Sequence, residues 1–142
     1  MSLEEKRAWI FLIVTLCAYT AYVVIILGRA GEAPLAEVAY AATLLWSIVW
    51  AIAASIVLHI AASIASPRDA GKKDQRDREI HRFGEYIGQS FVILGSTAAL
   101  GMAMFELPYF WIANTIYLAF VLSAILGSTA KLVAYRRGFQ PW

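Results

Sequence analysis

The side chains in this sequence with both the type and the setting for chemistry fall mainly in two places. The first is a row inside an otherwise apolar stretch: Thr43, Ser47, Ala51, Ser55, His59 and Ser63, spaced strictly by four. Residues four apart share a helix face. The row therefore presents hydroxyls, an imidazole and little bulk to one neighbour, which permits close approach and interhelical hydrogen bonds. Strict four-residue spacing drifts around a straight helix and favours an inclined crossing. His59 is the one readily titratable group well inside an apolar stretch, where ionisable side chains are costly and point to function. Three chemistries suit it. The plainest is a neutral imidazole bonded to a backbone carbonyl or a serine. The others are a proton relay or pH sensor, and a haem or metal ligand. Histidine occurs only at His59 and His81, so two axial haem ligands at one depth require a dimer. No cofactor and no metal is expected.

Two tryptophans, Trp46 and Trp50, sit one turn apart near the middle of the same stretch. Tryptophan normally marks membrane interfaces, as Trp9 and Trp111 do here. Midway along a helix, Trp46 and Trp50 are expected to face lipid or another helix, or else to line a pocket for a lipid or cofactor. Asn114 lies one turn inside its apolar stretch and is placed to bond the adjacent turn or Glu106.

The second place is Lys72 to Ile87, which reads KKDQRDREIHRFGEYI. Asp74 can cap a helix, with Asp77 three residues on in the reciprocal position. At 100° per residue Ile80, Phe83 and Ile87 share one side, and Asp74, Arg78, Arg82 and Glu85 the other. Ion-pair spacing joins Asp74 to Arg78 and Arg82 to Glu85. From Ser66 to Glu85 there are six basic and five acidic residues. An unpaired Lys or Arg near an anionic surface adds only about 1 kcal/mol, so this near-neutral balance makes a poor lipid-binding patch. A mixed-charge face suits a cytosolic protein partner or a second copy of the chain, with Asp74, Arg76, Asp77, Arg78 and Arg82 as the docking residues.

Catalytic signatures are missing. No apolar stretch contains two acids, so a carboxylate cation site is absent. The first stretch lacks the acid that four-helix multidrug exporters use. Asp74-x-x-Asp77 opens like the metal motif of membrane phosphatidyl-alcohol transferases, but its glycine and downstream acids do not follow. Gly88-Gln89-Ser90 lacks the closing glycine of a nucleophile elbow. The chain is not expected to be an enzyme.

The elements that position these residues are four helices. Of the 142 residues, 61% are hydrophobic and 15% charged. Soluble domains average about 45–50% and about 25%. A helix crossing ~30 Å of hydrocarbon needs ~20 mainly apolar residues. Four stretches qualify: Ala8–Gly28, Val38–Ile64, a third helix over 74–105 whose apolar part begins near Tyr86, and Tyr109–Leu132. Irregular backbone cannot face lipid, because its polar groups would lack partners. At 1.5 Å per residue the third helix measures ~48 Å and should extend beyond the bilayer. Small-residue rows on the third helix (Gly84, Gly88, Gly95, Ala99) and the fourth (Ala119, Ser123, Gly127) predict a tight contact within a bundle or between two copies.

Orientation follows from Lys and Arg. The N-terminus holds two, the middle loop six and the C-terminus three, against Arg29 alone on the other side. Both termini and the middle loop are expected to be cytoplasmic. This bias disfavours dual-topology transporters and fluoride channels, which need balanced counts. The first stretch exceeds a signal-peptide core and is expected to be a retained anchor. Cys17 is the only cysteine, so no intrachain disulfide forms. The net charge of +2 does not imply a nucleic-acid partner.

The runs Lys73–Ile80, Phe110–Asn114 and Lys131–Phe139 resemble a family of small, uncharacterised bacterial predicted membrane proteins, with Gln75 standing where Glu is expected. The likeness covers mainly Lys73 to Phe139. It brings no activity. It implies a bacterial inner-membrane protein and, through frequent association with helix-turn-helix regulators, a regulatory partner.

Together these readings predict an all-α, integral membrane four-helix bundle forming one transmembrane domain over residues 1–142. The leading function is a non-enzymatic interaction module acting as a homodimer or small homo-oligomer, with the lipid bilayer as its setting. Two alternatives are an oligomeric transporter or proton channel along Ser47, Ser55 and His59, and a lipid or haem binder using Trp46, Trp50 and His59.

Overall fold

The computed structural model describes residues 1–69, 71 and 73–139, and Lys72, counted among the basic residues above, lies outside them. The chain folds into α1 (Leu3–Ala30), a single 3₁₀ turn (Leu35–Glu37), α2 (Ala41–Ala65), α3 (Gln75–Met104) and α4 (Tyr109–Arg137), with no strand among the described residues. All four long helices are long and apolar enough to cross a membrane.

Local chemistry sets the ends. Ser2 caps α1, its Oγ accepting from the Glu5 amide at 3.1 Å. Gly31 ends α1 at φ +51°, a conformation that costs glycine little. The predicted capping box at α3 forms: the Asp77 amide donates to Asp74 Oδ1 at 2.7 Å and the Asp74 amide to Asp77 Oδ2 at 3.3 Å. At its other end α3 closes in a Schellman motif. The Leu107 amide bonds the Met102 carbonyl and the Glu106 amide the Ala103 carbonyl. Glu106, at φ +55°, takes the position usually held by glycine.

Three boundaries differ from expectation, the first being the start of α1 at Leu3 rather than Ala8, where the Ser2 cap sets it. Residues 38–40 are not helical, because the 3₁₀ turn carries the chain to Tyr40 and α2 begins at Ala41. α4 runs to Arg137 rather than ending at Leu132, since nothing interrupts it before Gly138 at φ +85°.

Close packing runs in the order α2, α1, α4, α3, with α2 and α3 at the two edges. The predicted small-residue rows meet within the chain. A side chain at Gly88 would strike Ser123, one at Gly95 would strike Ala119, and one at Gly127 would come within 2.9 Å of the Gly84 carbonyl oxygen. Contact between copies is therefore not needed to occupy these rows. Towards the Arg29 end, Tyr22, Ile26, Phe110, Tyr117 and Val121 form an aromatic-rich core between α1 and α4. No residue of α2 is buried, and Trp46 and Trp50 stand outward at 63% and 68% exposure.

Candidate functional site

The ends of all four helices that carry most of the charge meet at one end of the molecule. α1 supplies Glu4 and Arg7, α2 His59, α3 Asp77, His81 and Glu85, and α4 Ser128, Lys131 and Tyr135. They surround a half-open cleft of about 350 Å³, with Ala8, Phe11 and Ile80 as its apolar lining.

The wall on α3 is held by α4. Tyr135 donates to Asp77 Oδ1 at 2.7 Å, and Lys131 Nζ to Glu85 Oε1 at 2.8 Å. Ile80, 0% exposed, packs beneath them. The phenol of Tyr135 is pushed above its ordinary value by burial, and then by the Asp77 carboxylate that accepts its hydrogen bond, so it stays protonated. The hydrogen bond from Lys131 holds the Glu85 carboxyl below its usual range, against the opposing effect of partial burial.

These contacts correct two expectations. Asp74 and Arg78 do not pair, nor do Arg82 and Glu85. Asp74 is spent on the cap and Glu85 on Lys131, because α4 reaches far enough to bring Lys131 and Tyr135 alongside. The polar part of α3 is therefore a packed wall rather than a free projection. Asp77 turns towards Tyr135, while Asp74, Arg76, Arg78 and Arg82 remain exposed.

The opposite wall joins α1 to α2. Arg7 Nη1 pairs with Glu4 Oε1 at 2.9 Å, and Nη2 donates to Ser63 Oγ at 3.1 Å. His59 Nε2 lies 3.4 Å from the Arg7 carbonyl oxygen. A carbonyl only accepts, so this contact calls for the proton on Nε2. Lys6 Nζ reaches Ser66 Oγ at 2.7 Å.

The four-residue row of α2 thus pins helices together. Thr43 accepts from Arg29, and Ser47 shares a 2.7 Å hydrogen bond with Tyr117. His59 and Ser63 meet Arg7, and Ser55 is half-buried between these contacts. Asn114 serves the aromatic core: its Oδ1 accepts from Tyr22, and its Nδ2 donates to the Phe110 carbonyl at 2.8 Å. Its partners are Tyr22 and its own preceding turn, rather than Glu106. Of the docking and intramembrane site residues expected from the sequence, only His59 and Asp77 reach the cleft.

Sequence reasoning missed Glu4, Arg7, Ser128, Lys131 and Tyr135 as site residues. A signal was present on α4, where Ser128, Lys131 and Tyr135 follow at three- and four-residue spacing and share one face. Among the described residues no group of three or more His, Cys, Asp or Glu is arranged to hold a metal.

His81 gives the cleft a pH response. Partial withdrawal from water, then Lys131 and Lys73, lower its pKa below the ordinary 6.5, outweighing Glu85 and Glu4. The unfolded chain therefore binds this proton more readily than the folded one, so stability is full above about pH 6.5 and falls as pH drops towards the folded value. Because His81 is largely exposed, the fall is small. Glu85 adds a further loss below about pH 4.5, since its folded value is also lowered. Thermal melting from pH 8 to pH 5 should show the first decline in the wild type and not in His81→Gln. An identical slope in both would refute the assignment.

Comparison with family models, with curated proteins and with solved structures finds no match to this chain.

Proposed function

We propose that this protein is a non-enzymatic, multi-pass interaction module of a cell membrane, with its charged end in the cytoplasm, docking an acidic partner through the arginine face of α3. The orientation rests on the Lys and Arg distribution, eleven of twelve at one end. The docking reading rests on one observation. The middle segment is almost neutral in composition, yet its charges are segregated. Asp77 and Glu85 bond to α4 and Asp74 caps its own helix, while Arg76, Arg78 and Arg82 are exposed and enter no ion pair among the described residues. An arginine fork suits carboxylate groups of an acidic segment.

The test is charge reversal. The full chain, purified gently from its own membrane, should retain an acidic partner in a salt-sensitive manner. Arg78→Glu with Arg82→Glu should reduce recovery at least about tenfold, since like charges across an interface cost several kcal/mol. The amount of inserted protein should not change. Equal recovery by the variant would dismiss the docking face.

A further inference from the structure

Beside the cleft runs a second cavity, a groove of about 210 Å³ between α1 and α3 with α4 as its floor. It exists because α1 and α3 both pack on α4 and not closely on each other. Its walls are small or apolar: Phe11 from α1, Gly84 and Gly88 from α3, and Phe120, Ala124 and Gly127 from α4. Groove and cleft share Phe11, Glu85, Ser128 and Lys131, so they adjoin.

Ser128 marks the junction. It is 3% exposed, yet its hydroxyl makes no hydrogen bond among the described residues, and it lines both cavities. A helical serine usually satisfies itself on the carbonyl four residues back, as Thr129 does with Ile125 here. The hydroxyl opens onto the cavities rather than being sealed in the protein, so its partner comes from whatever fills them. Lys131, its side chain 17% exposed, stands one turn away on the same face.

The cleft has a balanced charge. Arg7, Lys73 and Lys131 stand against Glu4, Asp77 and Glu85. A purely anionic group entering it meets three carboxylates, and a purely cationic one meets three bases. A headgroup carrying both charges finds a counterpart for each. We propose that the cleft and the groove form one site for a single zwitterionic phospholipid, its headgroup in the cleft and one acyl chain along the groove. The phosphate accepts from Ser128 and Lys131 at the junction, the ammonium faces Glu4 and Asp77, and the chain lies over the glycines of α3 and α4. The groove opens from the charged end into the apolar belt, which is the direction a lipid of that leaflet runs. This site uses residues other than the arginine docking face and stands or falls separately from it.

The experiment is lipid titration of the delipidated full chain in detergent, read by native mass spectrometry. Dioleoylphosphatidylethanolamine should bind with a stoichiometry of one. Dioleoylphosphatidylglycerol should bind about tenfold more weakly, the cost of like charge facing the carboxylates. The water-soluble headgroup glycerophosphoethanolamine should not compete at equal concentration. Ser128→Ala should weaken phosphatidylethanolamine binding about tenfold, the loss of one hydrogen bond to a charged group. Ala124→Leu, which fills the groove, should abolish it. Thermal melting of both variants controls for folding, and Ser128→Ala removes only a hydroxyl that bonds nothing among the described residues. Equal affinity for the two lipids, displacement by the soluble headgroup, or binding that either variant leaves unchanged would overturn the site.

Discussion

Gly127→Ala is expected to destabilise the protein by about 1–2 kcal/mol, although alanine is the better helix former by about 1 kcal/mol. The added methyl would lie 2.9 Å from the Gly84 carbonyl oxygen, with the Gly84 carbonyl carbon and Gly88 Cα the next nearest atoms. All three belong to the backbone, so no side chain can swing aside and α3 must shift as a whole. Helices in lipid associate through close packing of this kind, because burying apolar surface offers little advantage over lipid tails. Gly101 provides the contrast. Nothing lies within 4 Å of a side chain placed there, so Gly101→Ala should be neutral or raise stability by up to about 1 kcal/mol. Reversible unfolding in mixed micelles titrated with a denaturing detergent measures both. A Gly127→Ala protein as stable as the wild type would mean that α3 does not pack on α4 at this depth.

Asp77→Ala is expected to cost about 2 kcal/mol, the larger for being two losses in one substitution. The carboxylate takes part in the capping box of α3, worth about 1 kcal/mol, and accepts from Tyr135 across to α4, worth about as much again. Tyr135→Phe removes only the second and should cost about 1 kcal/mol. In the Asp77→Ala background, Tyr135→Phe should cost almost nothing further, because the shared hydrogen bond is already absent. Additive losses in the double variant would show that the two side chains do not interact. The same pair positions the cleft: Asp77→Ala should loosen the first turns of α3 and weaken any ligand held there.

The architecture was legible because its causes are local. Four apolar stretches of membrane-crossing length, the box at Asp74 and Asp77, and the glycine rows of α3 and α4 all follow from spacing along one helix, and each appears, with some helix ends shifted by a turn or so. Helix length, capping and face are set by residues within a turn or two of one another, so a reader of the chain has every partner in view.

The charge contacts were not legible in this way. At three- and four-residue spacing Asp74 is as good a partner for Arg78 as Glu85 is for Arg82, yet neither pair forms. Lys131 and Tyr135, 46 and 58 residues away, take Glu85 and Asp77 instead. An exposed ion pair within a helix gains only about 0.2–0.5 kcal/mol, so any better placed group elsewhere in the fold displaces it. Which group that is depends on how far α4 runs and which face it turns to α3. The same holds for Ser128. Nothing in its sequence neighbours sets it apart, and only the gap left between α1 and α3, where two helices lean on a third, turns its hydroxyl towards a cavity.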